Sequence, residues 1–202
     1  MHPNPSSRAI RQLTNEKFIN LFVVEPAPGS SSHPWIFASR KKGAEAGHVS
    51  ADAVVIVATV THKGKPHLLI TREYRAPLGG YEISLPSGLV DPGESIKTTA
   101  ERELHEETGL RLTRILHVSP PVASSAGLTD EAVSLVYAEA EGVISSEHQT
   151  EHEDIESRLL SLEDLTQLMR NPGTDVISSR LYPMIVGFIA AGNFQLPAAL
   201  IQ

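Results

Sequence analysis

The sequence predicts an α+β fold, a mixed β-sheet core with one early helix and two late ones. Three observations carry this. Strand-like segments come first and make up most of the pattern, a helical pattern interrupts them once near the middle, and two further helical patterns follow the last strand. A wholly parallel sheet would instead alternate strand and helix.

Residues 18–24 (FINLFVV) read as a strand, followed by the Pro/Gly/Ser loop EPAPGSSSHP. Residues 35–42 (WIFASRKK) form a second strand. Residues 51–60 (ADAVVIVATV) are a β-branched run suited to a buried strand, and a THKGK turn pairs them with 66–74 (PHLLITREY) as a hairpin. YEISLP (81–86) is a further strand. RLTRILHVSP (111–120) and AVSLVYAEA (132–140) are strands separated by PVASSAGLTDE, and the acidic residues 145–157 run as a loop into a short strand. LEDLTQLMR (162–170) has helical spacing, with Ser161 as its cap and Glu163 in the first turn. Residues 175–192 are expected to form a second, more apolar helix, kinked at Pro183.

The 202 residues carry a net charge of -7, with a sequence pI near 5.7. That balance argues against a broad surface for duplex nucleic acid, but leaves room for a small anionic substrate whose charge a cation offsets. With no cysteine, disulfides and thiolate metal sites are excluded. The first 17 residues lack the apolar core of a signal peptide, and no apolar run approaches the roughly 20 residues of a membrane span. A cytoplasmic protein with no membrane or nucleic-acid partner is expected.

The stretch GLVDPGESIKTTAERELHEETGL (88–110) concentrates Glu101, Glu103, Glu106 and Glu107 within seven residues. On a helix over residues 95–108, Glu107 lies about 40° to one side of Glu103 and Glu106 about 60° to the other. Ile96, Ala100 and Leu104 form an apolar stripe beside them, and Gly109 suits the left-handed stop. Like charges at this spacing repel, and Arg102 is the sole cation among them. Such a cluster fits either a solvated acidic face or a site for a hard divalent cation.

The spacing from Gly88 through Glu94 to Arg102-Glu103-Leu104-x-Glu106-Glu107-x-Gly109-Leu110 resembles the Nudix box at each defining position. The resemblance implies the Nudix α/β/α sandwich and Mg2+-dependent hydrolysis (Mn2+ as a possible substitute) of a nucleoside diphosphate linked to another group. It implies Glu106 and Glu107 as the main metal ligands, Glu103 orienting or joining them, the Ser87 carbonyl as a further ligand, and Arg102 steadying the carboxylates. Residues 72–94 are similar to the segment leading into the box of ADP-ribose pyrophosphatases, with Arg75 placed to reach the substrate's phosphates. Trp35 and Arg40 resemble the pair that holds the adenine in some of these enzymes. Residues 119–131 resemble the substrate loop, although Ser125 stands where some relatives carry an acid.

The same branch implies a general base on a late acidic loop. Glu153 is the first choice and Glu151 the second. It also implies a homodimer exchanging its N-terminal region, so residues 1–48 are expected to be a dimerising β element and 49–202 the hydrolase domain. The function expected is hydrolysis of ADP-ribose to AMP and ribose 5-phosphate. The alternatives are another nucleotide sugar such as GDP-mannose, a dinucleotide, or a non-catalytic ADP-ribose-binding regulator. HQTEH (148–152) also matches the zinc pattern H-x-x-E-H, but its surroundings lack the apolar stripe of the helix that pattern requires.

Overall fold

The computed structural model describes residues 9–27, 29–41, 50–149 and 154–201. Contacts divide the chain into two units, Met1–Asp52 with Pro121–Val133, and Ala53–Pro120 with Ser134–Gln202.

In the first unit, β1 (Ile10–Gln12), β2 (Asn20–Val24) and β3 (Trp35–Ser39) form an antiparallel three-stranded sheet. It is narrower than the sequence suggests, because residues 18–19 are exposed and outside the ladder. The Asn20 side chain folds the preceding loop over itself, accepting from the Glu16 N–H at 2.6 Å and donating to the Glu16 carbonyl at 2.9 Å. β3 is fastened to the segment 128–131. The Ala38 N–H donates to the Leu128 carbonyl at 2.8 Å, and the Ser39 hydroxyl donates to Asp130 at 3.0 Å.

The second unit is built on β4 (Ala53–His62) and β5 (Lys65–Arg75). Lys63 and Gly64, at φ 50° and 75°, supply the two left-handed residues of the hairpin turn. The strand order is β12 (Val176–Ile177), β6 (Gly80–Ser84), β5, β4, β10 (Ala132–Glu141), β8 (Arg111–Val118). β11 (Ile155–Leu160) runs antiparallel along β5, β7 (Ser87–Leu89) along the start of β4, and β9 (Val122–Ala123) along the start of β10. β12 joins β6 in parallel, which makes the sheet mixed. β4 has no solvated face over most of its length, which explains its unbroken apolar run.

The helix α1 (Ile96–Thr108) seals one part of this core. Ala100 and Leu104 are fully buried against Val54, Ile56, Ala58, Leu69 and Val136. Its ends are where the residues demand. The Ser95 hydroxyl accepts from the Thr98 N–H at 3.1 Å, and Gly109 stops the helix at φ 72°. Leu104→Ala is expected to cost about 2–5 kcal/mol in a denaturant titration, because the site is walled by strands that cannot collapse into the space.

The helix α2 (Leu162–Arg170) begins at the Ser161 cap with Glu163 in its first turn, as expected, and Asp164 closes a capping box by accepting from the Ser161 N–H at 2.9 Å. The last helix departs from expectation. It covers Leu181–Ala191 (α3) rather than 175–192, because Val176 and Ile177 are taken into the sheet by β6 and the Ser178 hydroxyl accepts from the Leu181 N–H at 3.2 Å. Pro183 thus falls near the start of the helix, directly after Tyr182, whose N–H donates to the Ser178 carbonyl at 3.1 Å, and its missing N–H interrupts that ladder.

Candidate active site

The loop from β7 into α1 and the acidic face of α1 make the site. Glu94, in the turn before the helix, accepts from Arg102 Nε at 3.0 Å and Nη2 at 2.9 Å. It also accepts from the Thr99 hydroxyl at 2.9 Å and the Asp91 N–H at 3.4 Å. The other face of the guanidinium donates from Nη1 to Glu103 Oε1 at 2.8 Å and Glu106 Oε2 at 3.0 Å. Nη2 also reaches the Leu89 carbonyl at 3.1 Å. Arg102 is therefore the hub of three carboxylates. Of the carboxylates crowded along the helix, Glu103 and Glu106 are offset in the protein itself, because one guanidinium reaches both of them as well as Glu94.

These bonds set the ionisation. The Arg102 guanidinium, with help from Thr99 and Asp91, holds the Glu94 carboxyl down at about 2, while Arg102 itself is pushed further up by Glu94 and Glu103. A carboxyl lowered on folding contributes stability above its unfolded value, and that stability is lost as pH falls through the folded value. The window runs from about 4.5 down to about 2. Thermal unfolding between pH 2 and 6 should show a steeper acid loss for the native chain than for Glu94→Gln, which has no proton to take up there.

β7 packs its backbone against the remaining carboxylates. A Cβ on Gly88 would lie 1.8 Å from Glu103 Cδ, so the glycine is the space Glu103 occupies. The Ser87 N–H donates to Glu107 Oε2 at 3.3 Å, and Glu107 is buried at 7% exposure. Among the described residues no three His, Asp or Glu side chains stand ready as a metal-holding group. Glu103 and Glu106 both accept from the Arg102 guanidinium. The donor chemistry nevertheless fits a hard divalent cation. Three carboxylates lie within one helical turn, two of them against the backbone of residues 87 and 88, and Arg102 retains Glu94 and Leu89 if the others turn away.

The other predicted residues fall as follows. Arg75 ends β5 and donates to Glu73 at 2.8 Å and Glu82 at 3.2 Å. Trp35 begins β3 and is 56% exposed. Arg40 donates to Glu131 at 3.4 Å, and the Ser125 carbonyl accepts from the Leu128 and Thr129 N–H groups in an exposed turn. Trp35, Arg40 and Ser125 belong to the first unit, and Arg75, Ser87, Arg102, Glu103, Glu106 and Glu107 to the second. Glu151 and Glu153 lie outside the described residues, as does the second half of HQTEH. Glu94 is the residue whose role the sequence reading leaves unassigned. Its signal was an acid in the capping turn, eight positions before the sole arginine of the helix.

A mixed sheet carrying a glycine-led loop and an acidic helix on its flank defines the class, an α+β domain with a carboxylate-bearing loop–helix–loop. The chain belongs to the Nudix family, residues 49–181 matching the NUDIX domain. It is 33% identical over 138 residues to an ADP-ribose pyrophosphatase of Saccharomyces cerevisiae, covering 67% of this chain and 58% of that one. It is 28% identical over 166 residues to an ADP-ribose pyrophosphatase of Bacillus subtilis, covering 81% and 82%. The fold is shared with a crystal structure of an ADP compounds hydrolase, with a TM-score of 0.64 at 16% identity over 93% of this chain and 95% of that one. The chain spans about half the length of several curated relatives it matches, 42%, 49% and 58% in three cases. Among the described residues no helix is long and apolar enough to cross a membrane.

Proposed function

We propose that this chain hydrolyses the diphosphate bond of ADP-ribose, or of a similar nucleoside diphosphate sugar, with Mg2+ or Mn2+. The observation that carries the reading is the set of box carboxylates gathered on Arg102 and on the backbone of residues 87 and 88. The relatives named ADP-ribose pyrophosphatase support the choice of substrate.

Glu106, Glu107, Glu103 and the Ser87 carbonyl would hold the cation. When bound, it offsets the charge of the diphosphate and the charge that develops on the departing phosphate. Arg102, anchored by Glu94, would steady Glu103 and Glu106 through its direct bonds to both. Arg75, fixed at the end of β5 by Glu82 on Nε and Glu73 on Nη1, would offer its remaining Nη2 donors to the phosphate oxygens. Trp35 and Arg40 flank the adenine, and Ser125 offers a hydroxyl to the terminal ribose. Glu153, with Glu151 as the second choice, takes a proton from water as its oxygen attacks one phosphorus in line. The P–O bond on the far side breaks, the bridging oxygen leaves with the other phosphate, and the products are AMP and ribose 5-phosphate.

The working form is a cytoplasmic homodimer, paired through the N-terminal strands, where exposed Trp35 and Ile36 suit an interface. A panel of ADP-ribose, GDP-mannose and dinucleotides, assayed with and without Mg2+ and with products identified, tests the reading. ADP-ribose is expected to give the highest kcat/KM. If it is the slowest of the panel, the substrate is wrong, and if no member is hydrolysed, the reaction is wrong.

A further inference from the structure

The last turn of a helix leaves carbonyls without partners, and what satisfies them fixes where that turn points. At the end of α1 the partners come from the segment 144–149, the first half of the HQTEH stretch and the residues before it. The Ser145 N–H donates to the Thr108 carbonyl at 2.9 Å. The Gln149 side-chain amide donates to the Glu107 carbonyl at 2.8 Å. The same nitrogen donates to the Ile155 carbonyl, also at 2.8 Å, so both of its hydrogens are used. The approach is close. A Cβ at Gly109 would stand 3.0 Å from Ser145 Cβ, and the His148 ring lies over the His105 ring with centroids 4.4 Å apart.

One primary amide thus joins two elements 42 and 6 residues away, the final turn of α1 and the first residue of β11. That turn carries Glu106 and Glu107. We propose that Gln149 is a positioning residue for the reaction proposed above, its amide locking the Glu106–Glu107 turn to the start of β11. This rests on the functional reading, and the lock needs none of residues 150–153. Its chemistry is that of outer groups which aim a metal ligand without touching the metal, and losing such a group typically costs about 10–100-fold in metal affinity or activity. No sequence pattern signals it, because the bond runs from a polar loop side chain to two main-chain oxygens.

The test uses the full chain and four variants, with Mn2+ affinity by titration calorimetry, kcat and KM for ADP-ribose, and Tm. Gln149→Leu removes both donors, and Gln149→Glu sets carboxylate oxygens against two carbonyls. Gln149→Asn is the gentler change, keeping the amide but one methylene too short to span both partners. Leu165→Ala, in the buried side of α2, is the control for lost stability alone. Gln149→Leu and Gln149→Glu are expected to weaken Mn2+ binding and to lower kcat, each about tenfold, with KM within about twofold and Gln149→Asn intermediate. Leu165→Ala is expected to lower Tm while leaving both constants of the folded protein unchanged.

Three outcomes overturn the proposal. In the first, the Gln149 variants match the native chain within twofold in both Mn2+ affinity and kcat. In the second, Leu165→Ala shifts those constants as far as they do. In the third, the native chain neither binds Mn2+ nor hydrolyses ADP-ribose, and then the functional reading falls as well. The first two leave that reading intact.

Discussion

Glu107→Gln is expected to cut metal-dependent turnover by roughly 10³-fold, about 4 kcal/mol of barrier, while the chain folds normally. The amide keeps the length of the side chain, and its oxygen still accepts from the Ser87 N–H, so the packing of β7 on α1 survives. What goes is the charge of a carboxylate that is 7% exposed. A buried charge is costly to desolvate, so without metal the variant should melt higher, by roughly 2–4 °C for each 1 kcal/mol relieved.

Glu106→Gln separates the two effects. From the sequence alone, both substitutions should raise the melting temperature by removing repulsion. The structure changes the second expectation. Glu106 accepts from Arg102 at 3.0 Å and its side chain is 45% exposed, so the repulsion removed is matched by an ion pair lost, and Tm should stay within about 1 °C. Turnover should still fall by orders of magnitude. If both variants hydrolyse substrate at the native rate, the carboxylates are not a metal cluster and the acidic face is a solvated one.

These outcomes depend on features that the sequence disclosed unevenly. α1 is legible because two independent signals agree on it, the apolar stripe through Ile96, Ala100 and Leu104 and the Gly109 stop, while the Ser95 cap that starts it is seen only in the structure. The start of α3 is not legible, because LYPMIVGFIAA is apolar on every side and so has no period to mark it. Its true start is set by Val176 and Ile177 pairing with β6, a contact made across more than 90 positions of chain. Grouping fails in sequence for the same reason. The Ser39–Asp130 bond that fastens β3 to the segment 128–131 spans 91 positions and leaves no local trace.

Within the site, the types and spacing of the box residues were readable, and their bonds were not. A helix fixes the angle between Glu103 and Glu106, whereas the choice of both carboxylates for one guanidinium is made by rotamers and by Glu94 in the preceding turn. Gln149 lies at the far extreme, a polar loop residue whose partners are main-chain oxygens with no identity in sequence.

Gly88→Ala should lose nearly as much turnover as a change to a metal ligand while costing little stability. The glycine is not needed for its backbone, since it is absent from the positive-φ residues and an alanine can adopt its conformation. It is needed for room. The new Cβ would stand 1.8 Å from Glu103 Cδ and 2.0 and 2.2 Å from its two oxygens, so the carboxylate must swing away. Because the obstacle is the free end of a flexible side chain, the backbone keeps its place and the strand β7 remains paired. The loss is the 2.8 Å Arg102–Glu103 bond, worth about 1–3 kcal/mol at most for a charged pair, partly offset by about 0.4–1 kcal/mol from a less flexible unfolded chain.

Turnover is another matter, since Glu103 leaves the position beside Glu106 and Glu107, and a fall of about 10²–10³-fold is expected. A double-mutant cycle with Glu103→Ala isolates the cause. If Gly88 acts only by making space for Glu103, adding Gly88→Ala to Glu103→Ala should change kcat/KM by less than about threefold, so that the coupling equals nearly the whole single-variant effect. Independent, multiplicative losses would mean instead that the backbone of residue 88 acts on the substrate or the cation directly.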